Sequence, residues 1–259
     1  MDGELAASTE LVPLPAGHEL EVDVYTPQQT NPDTTSAQKI AVLCHPWSWL
    51  GGCKEDPVLV NLAAVLTLGL GVNVFVPNSR GVGESTGRSS FSGQSEAKDL
   101  EEFVKWCMNK VENVESVLLV GYSHGALLAS CHPVLPAPIR TYHVLLSYPV
   151  SPLPMLTFFH ASTYREKLRQ LVQGARARVL IMYGDRDQFT AVNKFTAWAA
   201  GFQSNNSVSN AELSPAENPQ VETKMVPGAD HFWRGPFNRQ MKAIIIDWLN
   251  EHEQARQPS

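Results

Sequence analysis

Gly121-Tyr122-Ser123-His124-Gly125 sets a serine between two glycines, after the apolar run Val117-Leu118-Leu119-Val120 and before Ala126-Leu127-Leu128-Ala129. The flanking runs predict a buried strand entering the segment and a helix leaving it. A serine on so sharp a strand-to-helix turn sits in a strained backbone conformation, with its hydroxyl pushed out above the sheet. Side chains two residues to either side would collide, so glycines flank it. The helix that follows aims its N-terminus at the serine, where backbone N–H groups can stabilise an oxyanion. Ser123 is therefore a candidate nucleophile; the alternative is a glycine turn with a solvated serine.

A serine hydroxyl is a poor nucleophile at neutral pH and needs a base, itself oriented by a third group. In open α/β sheets functional groups gather at the carboxyl ends of strands. Gly228-Ala229-Asp230-His231-Phe232 follows the strand predicted for Val221 to Val226. His231 is the candidate base. The other histidines lie near the chain ends, after or inside other elements, or beside the serine pointing elsewhere. Gly184-Asp185-Arg186-Asp187 follows the strand predicted for Val179 to Tyr183. Two aspartates compete there. Asp187 is preferred, because it lies further out and has room to turn back toward a histidine. Asp185 remains the alternative, more suited to turn formation. The order is serine, acid, histidine, unlike the orders of chymotrypsin and subtilisin.

An oxyanion hole needs two donors. The backbone N–H of His124 is the first candidate. The second should come from His45-Pro46-Trp47-Ser48-Trp49, after the strand Ile40 to Cys44. Pro46 has no N–H, so Trp47 is the candidate by position. The alternative for this segment is an aromatic loop packed over the sheet.

These residues need a scaffold. Glu19 to Tyr25 alternates as a half-buried strand, and Ile40–Cys44 and Val72–Val76 read as buried strands. Asp56 to Leu68 predicts a helix with Asp56 as N-cap and Pro57 at its first position, ended by Gly69 and Gly71. Leu100, Phe103, Val104 and Cys107 mark an amphipathic helix. Tyr142 to Tyr148 is a further strand, and Ala191 to Phe202 a further helix. Phe237, Met241, Ile244, Ile245 and Trp248 give a last amphipathic helix. Between these, Pro27 to Gln38 and Ser204 to Gln220 read as polar loops. Alternation of strand and helix implies an α/β fold: a mostly parallel sheet with helices on both faces and an antiparallel N-terminal edge. The 259 residues suit one domain.

Composition narrows the partners. A formal net charge of −6 and the lack of any Lys/Arg run argue against nucleic acid or an anionic membrane. Cys44, Cys53, Cys107 and Cys131 form no C-x-x-C, so no metal site is expected and buried reduced thiols are. The longest apolar stretch, Val58 to Val76, is interrupted by Asn61, Gly69, Gly71 and Asn73 and reads as helix then strand, not a membrane span. No signal core or anchor is apparent, so a cytoplasmic protein is the expectation. Oligomeric state is open. Gly81, Gly83 and Gly87 mimic a nucleotide loop, but the third glycine falls one place late for G-x-G-x-x-G, and no Gly-Lys-Ser/Thr is present.

Taken together, His45-Pro46-Trp47, Asn78 to Ser85, Gly121 to Gly125, Gly184 to Asp187 and Gly228 to His231 span most of the chain in one order. In this the chain resembles the α/β-hydrolase superfamily, in particular compact serine esterase-like hydrolases with a short cap. The resemblance implies a Ser123-Asp187-His231 triad, hydrolysis of a small carboxylic ester or thioester through an acyl-enzyme, and no metal or organic cofactor. It leaves two alternatives: a peptidase or amidase using the same triad, or a non-catalytic binding or scaffold protein on that fold. Proline stands where the family often has glycine after the histidine at 45, and no His-Gly-Gly-Gly run is present. The segment 151–174 falls where such folds insert a cap, and its first half is apolar. Leu156, Phe158 and Phe159 there, with Trp49 and Tyr122, are the candidate substrate-pocket residues; a plug packed on the sheet is the alternative.

Overall fold

The computed structural model describes residues 7–28, 37–206 and 220–254. Its strands are β1 (Ser8–Pro13), β2 (Glu19–Tyr25), β3 (Gln38–Cys44), β4 (Asn73–Pro77), β5 (Val114–Tyr122), β6 (Arg140–Leu146), β7 (Arg178–Gly184) and β8 (Gln220–Val226). They form one sheet in the order β1-β2-β4-β3-β5-β6-β7-β8. From β4 to β8 every pair is parallel; β1–β2 and β2–β4 are antiparallel. Among the described residues seven helices accompany it: α1 (Pro57–Leu70), α2 (Gln94–Lys110), α3 (His124–Cys131), α4 (Leu153–Leu156), α5 (Ala161–Gln173), α6 (Val192–Asn206) and α7 (Pro236–Gln254).

The strands sort their side chains between two cores, as the period of two requires. Ile40, Val42 and Cys44 of β3 face a layer built by α2, α3 and α5, with Phe103, Leu127 and Leu168 buried in it. Ala41 and Leu43 face the other way, onto Leu62 and Leu66 of α1 and Ile245 and Trp248 of α7. Strands buried on both faces read as unbroken apolar runs, and each fully buried aliphatic side chain contributes about 1.5–3 kcal/mol.

The ends of α1 follow from single residues. The Asp56 carboxylate accepts from the Val58 N–H at 2.8 Å, Pro57 occupies the first turn, and Gly71 closes the helix in the left-handed region at φ 64°. Gly69 lies inside this helix rather than ending it. The sequence pattern passes over β1, because only Val12 of its six residues is buried. It also stops α6 early: the helix runs to Asn206, three residues into the expected polar loop. Of the two loops, 29–36 and 207–219 lie outside the described residues. No helix among the described residues is long and apolar enough to cross a membrane.

In the segment 151–174, α5 is the crossover between β6 and β7. It buries Tyr164, Leu168, Leu171 and Val172 in the α2–α3 layer. From the stretch through α4, Pro152, Met155 and Leu156 share a cavity with Ser123 at the end of β5.

Candidate active site

The turn between β5 and α3 is sterically forced. Ser123 has φ 56° and ψ −117°, a conformation a side chain tolerates only when its surroundings impose it. A Cβ on Gly121 would lie 2.3 Å from the Gly125 carbonyl oxygen, and one on Gly125 would lie 2.2 Å from that of Cys44. Both neighbours are backbone and cannot yield. The Ser123 N–H donates to the Leu146 carbonyl at 2.9 Å, which ties the turn to the end of β6.

Ser123, Asp187 and His231 come together at the carboxyl end of the sheet. His231 Nε2 lies 3.0 Å from Ser123 Oγ, and His231 Nδ1 lies 2.6 Å from Asp187 Oδ2. A carboxylate only accepts, so Nδ1 carries the proton and Nε2 is left to accept from the serine hydroxyl. Asp187 is fixed by a second set of bonds: its Oδ1 accepts from the Phe189 and Thr190 N–H groups, both at 2.8 Å. The imidazole is buried, with the Phe189 ring edge-on at 4.5 Å. Tyr122 Oη donates to the His231 carbonyl at 3.0 Å.

The loop bearing His231 is held by the loop bearing Asp187. Asp185 Oδ1 accepts from the Gly228 N–H at 2.6 Å, the Arg186 N–H donates to the Ala229 carbonyl at 3.0 Å, and Gln188 Oε1 accepts from the His231 N–H at 3.0 Å. Of the two competing aspartates, Asp187 touches the imidazole and Asp185 ties the loops.

His124 begins α3, so its N–H has no acceptor within the helix. Trp47 precedes a 3-10 turn, Ser48–Leu50, and its carbonyl accepts from the Leu50 and Gly52 N–H groups. Its ring stands 6.4 Å from that of His124. His45 donates from Nδ1 to the Pro46 carbonyl at 2.7 Å and accepts from the Ser79 N–H at 2.9 Å, which braces the loop. Burial lowers the His45 imidazole to about 4 and that of His124 to about 3, so both are neutral at physiological pH.

A cavity of about 170 Å³ opens on Ser123 and His231, walled by Trp47, Leu50, Tyr122, Leu156, Phe189 and Phe232, among others. Tyr122 and Leu156 line it. Trp49, Phe158 and Phe159, the other pocket candidates, do not. They form an exposed aromatic rim instead: Trp49 stacks on Phe91 at 4.9 Å, Phe91 meets Phe158 at 5.8 Å, and Phe159 is 84% exposed. The reason is local. Trp49 lies in the 3-10 turn, none of whose residues is buried, and Phe158 and Phe159 take positive φ values just past α4 that carry them off the sheet.

Phe189 and Asp56 are among the wall residues that the sequence does not mark as such. Phe189, packed on the imidazole, follows the Gly-Asp-x-Asp turn and had no pattern to mark it. Asp56 was legible only as a helix cap, yet it also lines the cavity. The glycine loop at 81–87 commits its amides within the protein: Gly81 N–H to the Thr86 carbonyl, Glu84 N–H to Glu21 Oε2, Thr86 N–H to the Glu19 carbonyl. It offers no row of free donors for a phosphate.

Comparison with known proteins agrees with this architecture. The sequence model described as "Alpha/beta hydrolase family" matches residues 41–251. The uncharacterized protein RP471 of Rickettsia prowazekii is 25% identical over 211 residues, 82% of this chain and 79% of that one. An alpha-beta serine hydrolase homologue from Coxiella burnetii superposes with a TM-score of 0.65 at 24% identity, covering 93% of this chain and 96% of that one. XC6422 from Xanthomonas campestris, described as an a/b serine hydrolase without lid, gives a TM-score of 0.67 at 21% identity, over 96% and 95% of the two chains.

Proposed function

We infer the chemistry from one premise: the chain belongs to the alpha/beta hydrolase family. We propose that it is a serine hydrolase that cleaves small carboxylic esters or thioesters through an acyl-enzyme. The observation that carries this reading is the continuous hydrogen-bonded line from Asp187 through His231 to Ser123. Ser123 attacks the acyl carbon while His231 Nε2 takes its proton. Asp187 holds Nδ1 and stabilises the imidazolium that forms. The N–H groups of His124 and Trp47 receive the oxyanion, each worth roughly 100- to 1000-fold in rate. His231 then protonates the leaving group, and water activated by the same imidazole releases the acid. The cavity sets the scale of the group it accepts, since an apolar cavity of about 150 Å³ takes a benzene ring.

The test is labelling with a fluorophosphonate probe, whose phosphorus is attacked by an activated serine. The expected result is one covalent adduct, at Ser123, that is lost in Ser123→Ala. An adduct that survives the substitution, or none in the wild type, overturns the assignment. A series of acyl chain lengths then defines the substrate, with turnover expected to peak at short or single-ring acyl groups.

A further inference from the structure

The cavity beside Ser123 carries a charge that the serine mechanism does not use. Asp56 is the one carboxylate among the described residues on its wall. Its capping bond to Val58 explains why a polar residue stands there. It does not explain the charge, since asparagine caps a helix as well as aspartate does. A carboxylate has about four acceptor positions, and the Val58 and Leu59 N–H groups occupy only part of that capacity.

Elsewhere, buried aspartates have cationic partners. Asp23 is paired with Lys54 at 2.8 Å and Asp99 with Arg80 at 2.5 Å. No ion pair of Asp56 occurs among the described residues. Burial pushes its carboxyl above the usual carboxylate range, with His231 the only side chain countering the shift by charge. The helix N-terminus favours an anion but supplies no full charge to neutralise it. The same cavity is lined by Trp47, Tyr122, Phe189 and Phe232. Aromatic faces attract cations, most strongly where water is excluded. A partly buried carboxylate without a counter-cation, in a cavity that aromatic rings also line, is the chemistry of a cation-binding wall, and the net charge of −6 favours approach of a cation.

We propose that Asp56 is a specificity-determining residue that selects substrates bearing a positively charged nitrogen on the group that enters the cavity. This rests on the serine hydrolase reading and adds a substrate class to it. The ammonium exchanges its water for the Asp56 carboxylate and the aromatic walls, while the ester carbonyl reaches Ser123.

The test uses two esters of one phenol that differ in a single atom: trimethylammonioacetyl and its carbon isostere 3,3-dimethylbutanoyl. Their kcat/KM ratio is measured in the wild type and in Asp56→Asn, which keeps the cap. Intrinsic reactivity cancels between the two proteins. The charged-to-neutral ratio is expected to fall about 10- to 100-fold in Asp56→Asn, mainly through a higher KM for the charged ester. Asp56→Ser, which also caps, should show the same fall. A residue that only capped α1 would lower both esters alike, so a ratio unchanged within about twofold in either folded variant overturns the inference. Failure of the wild type to react with a fluorophosphonate at Ser123 overturns the hydrolase reading instead, and this inference with it.

Discussion

The turn at Ser123 and the aromatic rim at Trp49 stand at the same end of the sheet and obey opposite constraints. At the turn, every neighbour is backbone: Gly121 presses on Gly125, and Gly125 presses on Cys44. At the rim, Trp49, Phe91 and Phe158 touch mainly one another and are more than half exposed. The first region has one conformation that avoids collision. The second is held by ring contacts worth about 0.5–1.5 kcal/mol each. The turn is thus fixed by backbone that cannot yield, and the rim by side-chain contacts that face solvent.

The comparison breaks most readily at the serine. Ser123→Ala should lower turnover of any ester by about 10⁴-fold or more while leaving the circular dichroism spectrum unchanged; a retained rate would falsify the role given to the turn. Asp187→Asn should cost about 10³- to 10⁴-fold, because the amide favours the wrong imidazole tautomer. Asp185→Asn should cost about tenfold at most, since it only loosens the loop that carries His231. Reversal of these two effects would transfer the acid role to Asp185.

Acid should sharpen the contrast. Burial holds His45 at about 4 and His124 at about 3, and lowers His132, at the end of α3, and His143, in β6, to about 4 and about 3. In the unfolded chain each titrates near 6.5. Between those values the unfolded state binds more protons, so stability is full above about pH 6.5 and is lost as pH falls toward 4. Each histidine steepens the fall by up to about 1.4 kcal/mol per pH unit. The melting temperature, followed by calorimetry from pH 7.5 to 4, should drop, and His143→Gln should make the drop shallower; a flat profile contradicts the burial argument. The rim contributes no such histidine. Trp49→Ala should change kcat/KM for a short ester less than about threefold and leave the melting temperature within about 2 °C, and a large loss would place Trp49 in the binding path.

Sequence alone made the inner half of this site legible for physical reasons. A strained serine needs flanking glycines, a general base needs a carboxylate within reach, and parallel strands place both after their C-terminal ends. These requirements leave marks at 121–125, 184–187 and 228–231. The fold was legible for a similar reason, since strands buried on both faces have to be apolar throughout. The outer half leaves weaker marks. Phe158 and Phe159 look like pocket walls because they are apolar, but composition does not tell the inner side of a short helix from the outer. Asp56 is invisible as a cavity residue because the cap signal, a polar residue before Pro57 and an apolar helix, already accounts for a polar side chain at that position. The Lys54 cluster with Glu21 and Asp23, and the Arg80–Asp99 pair with His18, join residues far apart in the chain that no local pattern connects. The edge strand β1, with one buried residue, carries too little alternation to be read.

Gln188 is not among the residues that line the cavity, yet its side-chain oxygen anchors the main chain of His231. A clinician-style survey of harmful variants that scores only ligand-touching positions would pass it by. An assay would record a slower turnover number and an intact substrate affinity, and the cause would be traced to the wrong amino acid.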